Sequence, residues 1–169
     1  MPQELLDIVD ADDNVIGQMP FKKAHEAGAL HRFTRVLLQN SRGDFVLQVR
    51  AAGIPDAGKI DAPGGHVQSG EDYLEGAVRE LQEEMGVYVE PEAFTLLGRI
   101  EDMSRSHIEN MIGKAYVAVH DGPYTIEEEE LTEIKLFKAD EILELVQKSP
   151  DKISPKLLQC LKLWERLNA

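Results

Sequence analysis

Residues 65–87 have the sequence GHVQSGEDYLEGAVRELQEEMGV, a glycine-containing turn followed by the pattern of an amphipathic helix. Apolar residues recur at the three- and four-residue spacing of a helix with one buried face: Leu74, Ala77, Val78, Leu81 and Met85. We expect a helix over residues 72–85, with Ser69 and Asp72 as a capping box before it and Gly86 ending it.

The same helix carries three carboxylates, Glu80, Glu83 and Glu84, on a second face. Residues three and four apart are neighbours on a helix, so these negative charges repel one another unless a cation lies between them. Mg²⁺ and Mn²⁺ prefer oxygen ligands. Arg79, four residues before Glu83, can hold that carboxylate in a bidentate pair. The pattern therefore predicts a divalent-cation site, and the simpler alternative is a solvated acidic face.

The spacing of the whole segment favours the cation site. Its pattern is Gly, five residues, Glu, seven residues, Arg-Glu-aliphatic, one residue, Glu-Glu, one residue, Gly-aliphatic. Multiplying residue frequencies gives a chance match of about one in a million. This pattern resembles the signature of the Nudix hydrolases, and nine residues carry the match: Gly65, Glu71, Arg79, Glu80, Leu81, Glu83, Glu84, Gly86 and Val87.

The resemblance implies an α+β fold, the Nudix α/β/α sandwich with a mixed β-sheet, and hydrolysis of a diphosphate linked to a nucleoside or a similar group. It implies a Mg²⁺ or Mn²⁺ cofactor held by Glu80, Glu83, Glu84 and the carbonyl of Gly65. Arg79 would orient a glutamate, and Glu71 would hold the turn before the helix. The catalytic set is then Glu84, Glu83 and Arg79. The general base in this family lies inside or outside the signature, and we favour Glu84.

The rest of the chain predicts one domain over residues 1–169 with strands mixed among a few helices. An N-terminal β-hairpin, residues 5–9 and 15–19, belongs to an extension over residues 1–30, in which residues 22–30 form a short helix or a turn that ends near Gly28. Further strands are expected at 33–39, 45–50, 60–62, 94–100 and 114–120, and two helices at 139–147 and 155–167. The absence of regular strand–helix alternation favours α+β over a parallel α/β sheet.

Three residues are candidates for substrate binding. Arg50 ends a strand and Lys59 precedes the glycine turn, so either side chain can meet phosphate oxygens. His66 lies inside the turn itself. The acidic run 127–130 is either a solvated loop or the source of a further glutamate that binds the metal or acts as the general base.

The wider layout resembles one branch of the family, the isopentenyl-diphosphate isomerases. His25, His31, His66 and Glu109 lie at positions that resemble the metal-binding residues of that branch. The isomerase cysteine falls at Gly64, however, and Met111 replaces a second glutamate. Because isomerisation moves protons through that pair of groups, we expect no isomerase activity. Whether His25, His31 and Glu109 form a second metal site is left open.

Composition limits the remaining functions. The formal net charge of −13 argues against non-specific binding to nucleic acid or to an anionic membrane, since both require a basic surface. No apolar stretch approaches the roughly 20 residues of a membrane span. A lone cysteine, Cys160, and no secretory signal pattern predict a cytoplasmic protein. The expected partner is a small diphosphate; monomer and homodimer remain open, and a non-catalytic binding module of the same fold is the alternative to an enzyme.

Overall fold

The computed structural model describes residues 3–103 and 109–169, and within them eight strands and four helices. The strands are β1 Leu5–Val9, β2 Val15–Pro20, β3 His31–Gln39, β4 Phe45–Arg50, β5 Ile60–Asp61, β6 Thr95–Asp102, β7 Met111–Val119 and β8 Leu131–Phe137. The helices are α1 Phe21–Ala27, α2 Tyr73–Met85, α3 Ala139–Lys148 and α4 Pro155–Leu167.

Strand β3 is the centre of one mixed sheet. One edge of β3 pairs in parallel with β7 along its whole length, and β7 pairs with β6. The other edge is shared: β1 pairs at its start, β4 pairs at Leu38 and Gln39, and the loop before α2 fills the gap between them. In that gap Thr34 N–H donates to Gly65 O and Val36 N–H donates to Pro63 O. The divergence of β3 from β4 therefore positions the glycine turn.

Helices cover both faces of the sheet because β3 alternates its side chains between two cores. Phe33 and Leu37 pack with α3 and α4, where Ile142 and Leu157 are fully buried. Val36 and Leu38 pack with α2 through Leu81 and related residues. These layers form the α/β/α arrangement with a mixed sheet that the sequence predicts. Among the described residues, no helix has the length and apolar character to cross a bilayer.

The N-terminal hairpin joins the same sheet and is tied to the glycine turn. Asp7 accepts hydrogen bonds from Ser69 Oγ at 2.7 Å and from Gly70 N–H at 3.3 Å. Asp13 accepts from Arg32 Nε at 2.6 Å and from the Tyr73 hydroxyl at 2.9 Å. These bonds fix the hairpin against the start of α2.

Two sequence predictions are wrong in detail. The capping box of α2 is formed by Asp72 and Glu75, not by Ser69 and Asp72: Glu75 N–H donates to Asp72 Oδ1, and Asp72 N–H donates to Glu75 Oε2. Ser69 is instead engaged by Asp7. The second error is that no strand was expected at β8, which comes directly after the acidic run 127–130 and pairs with β4.

Candidate active site

Helix α2 places its three signature carboxylates in different surroundings. Glu80 and Glu84 are buried, with 8% and 3% of their surfaces exposed, and they lie on the covered side of the helix beside Leu81. Glu83 points outward, with 54% of its side chain exposed. The three therefore do not share one solvated patch, because the turn before α2 covers a second face of the helix.

Arg79 joins the turn to the helix. Its Nε and Nη2 donate to the two oxygens of Glu71 at 2.6 and 3.0 Å, and Nη2 also donates to His66 O at 2.8 Å. Its Nη1 donates to Glu80 at 2.8 Å and to Glu83 at 3.1 Å. The bidentate partner of Arg79 is thus Glu71. The sequence had led us to expect Glu83 instead. Glu71 in turn accepts from Gln68 N–H, so it holds the turn.

Gly64 and Gly65 permit two close approaches. A Cβ atom added at Gly64 would lie 2.1 Å from Thr34 O, and Gly64 has a φ of 150°, where side chains are strained. A Cβ atom added at Gly65 would lie 2.5 Å from the carboxyl carbon of Glu80. Gly64 N–H donates to Glu84 at 3.0 Å. The glycines therefore allow the backbone turn to lie against both buried carboxylates.

Burial shifts the ionisation of these carboxylates. It raises the pKa of Glu80 to about 7, against the opposing charge and hydrogen bond of Arg79. The pKa of Glu84 is also raised well above its ordinary value, first by burial and then by a hydrogen bond shared with Glu130. Two carboxylates of this kind are stabilised in their charged form by a nearby cation.

The donor set fits a hard divalent cation. Glu80, Glu84 and the Gly65 carbonyl offer oxygen atoms only, as Mg²⁺ and Mn²⁺ prefer. Within residues 3–103 and 109–169, no three His, Cys, Asp or Glu side chains already converge as a formed metal site. The contacts of Arg79 with Glu80 and Glu83 account for part of this, because its guanidinium lies between those carboxylates.

A cavity of about 450 Å³ opens beside this cluster. Of the substrate-binding candidates, Arg50 and His66 line it, whereas Lys59 is not among its lining residues and pairs with Asp56 at 3.2 Å. Glu130 lines it as well, so one residue of the acidic run does reach the site.

Three charged lining residues were missed from the sequence: Glu4, Arg35 and Lys156. Arg35 could have been found from the sequence, because it lies two residues from both Phe33 and Leu37 and so shares the inward face of a buried strand with them. Lys156 carries a weaker signal, as a charged residue in the first turn of a largely apolar helix.

The other side of the cavity carries imidazoles and Glu109. The rings of His31 and His66 lie 5.3 Å apart, and Phe21 packs against His66 at 4.7 Å between ring centres. Burial lowers the pKa of His31, and burial together with His31 and Arg35 lowers that of His66, so the neutral rings are favoured. Met111 lines the same wall. The structure thus brings His25, His66 and Glu109 to one cavity, with His31 beside them.

Sequence comparison places this site in a known family. The model of the NUDIX domain matches residues 29–157. The chain belongs to the Nudix family. It is 33% identical to an uncharacterised Nudix hydrolase of Yersinia pestis, over 95% of this chain and 85% of that protein. It is 31% identical to an isopentenyl-diphosphate Δ-isomerase of Pectobacterium atrosepticum, over 91% of this chain and 87% of that protein.

Solved structures agree with the Nudix fold. The crystal structure of DR0079 from Deinococcus radiodurans superposes with a TM-score of 0.73, at 21% identity, over 96% of this chain and 98% of that one. As a Nudix hydrolase, the protein acts on phosphorus-containing anhydrides, and the family generally uses divalent metal ions. The predicted family, fold class and enzyme class are confirmed.

Proposed function

We propose that this Nudix protein is a Mg²⁺- or Mn²⁺-dependent hydrolase of the diphosphate bond in a nucleoside diphosphate derivative or a similar small diphosphate. The observation that carries the proposal is the pair of buried carboxylates, Glu80 and Glu84, packed against Gly64 and Gly65, with Glu80 lining a cavity that Arg50 also lines. Buried acids with raised pKa values, gathered in a cleft beside a cation, are the arrangement expected at a catalytic site.

The metal would be held by Glu80, Glu83, Glu84 and the carbonyl of Gly65. When bound, a divalent cation neutralises the diphosphate charge and makes a water molecule more acidic. Arg79 fixes Glu80 and the turn through the contacts described above. Arg50 and His66 would contact the substrate from the cavity wall.

Hydrolysis also requires a base for the attacking water. The water oxygen attacks phosphorus, the bridging P–O bond breaks, and one water proton passes to a carboxylate. We favour Glu84 as that carboxylate, because it is buried against the glycine turn and accepts a hydrogen bond from Gly64 N–H.

Hydrolysis of a panel of diphosphates, followed by chromatography of the products, tests the proposal. The panel includes nucleoside diphosphates, nucleoside diphosphate sugars and prenyl diphosphates, each with Mg²⁺, with Mn²⁺ and with a chelator. We expect metal-dependent turnover of at least one class. Glu84→Gln should lower that turnover at least about a hundredfold, whereas Glu92→Gln, at an exposed site outside the cavity, should not.

Two results would contradict the proposal. No turnover with any metal, together with tight binding of a panel member, would identify a non-catalytic binding module. Equal turnover with and without the chelator would show that the reaction does not require the metal.

A further inference from the structure

Two cations that the Nudix signature does not contain are buried at the cavity wall. Arg35 on β3 is 5% exposed and Lys156 on α4 is 3% exposed, and both line the cavity. Buried cations are costly unless they are paired and hydrogen bonded. Their existing partners therefore indicate whether a ligand is missing.

Arg35 is incompletely satisfied. Its Nη1 donates to Thr34 O at 2.9 Å, and its Nε lies 3.6 Å from Asp61, beyond hydrogen-bond distance. Asp61 is itself engaged: it accepts from Arg50 at 3.1 Å and from Ser154 Oγ at 2.7 Å. Two guanidinium groups thus share one buried carboxylate, and the Nε of Arg35 is a buried donor without a hydrogen-bond partner.

Lys156 adds a second charge on the same wall. Its ammonium is 2.6 Å from Asp102, which orients it, and an ammonium group has three donors. Glu109 lines this wall too, and burial raises the pKa of its carboxyl group. Phe33 and Met111, 1% and 4% exposed, line the same cavity.

Arg35 and Lys156, which we call the cationic wall, line the same cavity as the signature carboxylates Glu80 and Glu83. A Cβ atom at Gly64 would be 2.9 Å from Arg35 Cα, while one at the next residue, Gly65, would touch the carboxylate of Glu80. The dipeptide thus separates Arg35 from Glu80. Neighbouring phosphoryl groups of one diphosphate can therefore face the two sides.

We propose that Arg35 and Lys156 form an anion subsite for the terminal phosphate of the substrate, so that the preferred substrate is a diphosphate monoester. This inference rests on the proposed function, because it assumes that the signature carboxylates hold the neighbouring phosphoryl group through metal. Arg35 and Lys156 are buried, whereas Glu83 and Glu130 are exposed, so we place the end of the ligand against Arg35. The unesterified phosphate, with two negative charges, fits that end better than an ester does.

Binding of two non-hydrolysable probes tests the subsite. One probe is a nucleoside methylenediphosphonate with a free terminal group, and the other is a dinucleoside methylenediphosphonate esterified at both ends. Affinities are measured by calorimetry with Mg²⁺ for wild type, Lys156→Met and Arg35→Lys. Lys162→Met, an exposed lysine on the same helix, and Arg42→Lys, an exposed arginine, are the matched controls. Thermal unfolding checks that each variant is folded, and Lys156→Arg tests whether another cation restores binding.

We expect Lys156→Met to weaken binding of the free-ended probe about tenfold or more, which corresponds to ~1.4 kcal/mol, and Lys156→Arg to recover most of it. The doubly esterified probe should change by less than about threefold. Equal losses for both probes, or no loss for either, would overturn the subsite. Hydrolysis by the wild-type protein is measured separately. If the wild type hydrolyses diphosphates but the variants bind the probes as the wild type does, the subsite alone is refuted. If probe binding depends on Lys156 but the wild type shows no turnover, only the proposed hydrolase activity is refuted.

Discussion

Alanine at Gly65 and alanine at Gly64 should have opposite consequences, although the residues are adjacent. The Cβ atom at Gly65 would lie 2.5 to 2.7 Å from the carboxyl group of Glu80, which is the end of a flexible side chain beside a cavity. Glu80 can therefore move, and overpacking of this kind costs about 1 kcal/mol. The Cβ atom at Gly64 meets backbone atoms, Thr34 O at 2.1 Å and Arg35 Cα at 2.9 Å, which move only if β3 shifts.

The stability cost at Gly64 is the larger one. Backbone strain at a φ of 150° and overpacking against the central strand each cost about 1–3 kcal/mol. We therefore expect Gly64→Ala to lose about 3 kcal/mol or more of unfolding free energy. For a domain of this size that lowers the melting temperature by roughly 6–12 °C. Gly65→Ala should lower it by only about 2–4 °C.

The loss of activity should follow the reverse order: once each variant is folded, Gly65→Ala should lose more turnover than Gly64→Ala. Displacing Glu80 removes a proposed metal ligand, so Gly65→Ala should lower turnover about a hundredfold and require more Mg²⁺ for half-maximal rate. Thermal unfolding and phosphate release over a Mg²⁺ titration measure the two effects. A Gly65→Ala enzyme with normal turnover and Mg²⁺ requirement would refute the role given to Glu80. A Gly64→Ala protein as stable as wild type would refute the close backbone approach.

Three further outcomes are expected. Burial raises the pKa of Glu80 to about 7 from an ordinary 4.5, so the metal-free protein should lose stability as the pH rises between those values. Mg²⁺ should therefore raise the melting temperature more at pH 8 than at pH 6. An equal rise in melting temperature at both pH values would contradict this expectation. Arg79→Lys should weaken Mg²⁺ stabilisation, because an ammonium cannot reproduce the bidentate pair with Glu71, and unaltered titrations would argue otherwise. Isopentenyl diphosphate incubated in deuterated water should acquire no label, since Gly64 and Met111 supply no proton-transfer group; label at a catalytic rate would overturn that view.

Much of the site followed from local pattern alone. Helical periodicity identified α2, and the spacing of its carboxylates identified the family, because both depend on residues within a few turns of one another. The side of the helix on which Glu80 and Glu84 lie did not follow, because it depends on the turn that fills the gap between β3 and β4. The capping residue was misplaced because Ser69 is held by Asp7, more than sixty positions earlier in the chain.

The cationic wall could not be located from the sequence for the same reason. Arg35 and Lys156 are separated by most of the chain and meet only because α4 packs on the face of β3 that carries Phe33. Strand β8 was missed because its exposed polar residues and the preceding acidic run obscure the alternation typical of a strand. It sits beside β4 and brings Glu130 next to Glu84.

Residue 64 also bears on how this chain differs from its isomerase relatives. A cysteine there would require a Cβ atom 2.1 Å from Thr34 O, so the present backbone has no room for the thiol that isomerisation uses. Accommodating it means moving the turn away from β3, and the same movement would break the bond from Gly64 N–H to Glu84. The close packing that holds Glu84 therefore opposes a cysteine side chain at residue 64, which is why we expect no isomerase activity from this chain.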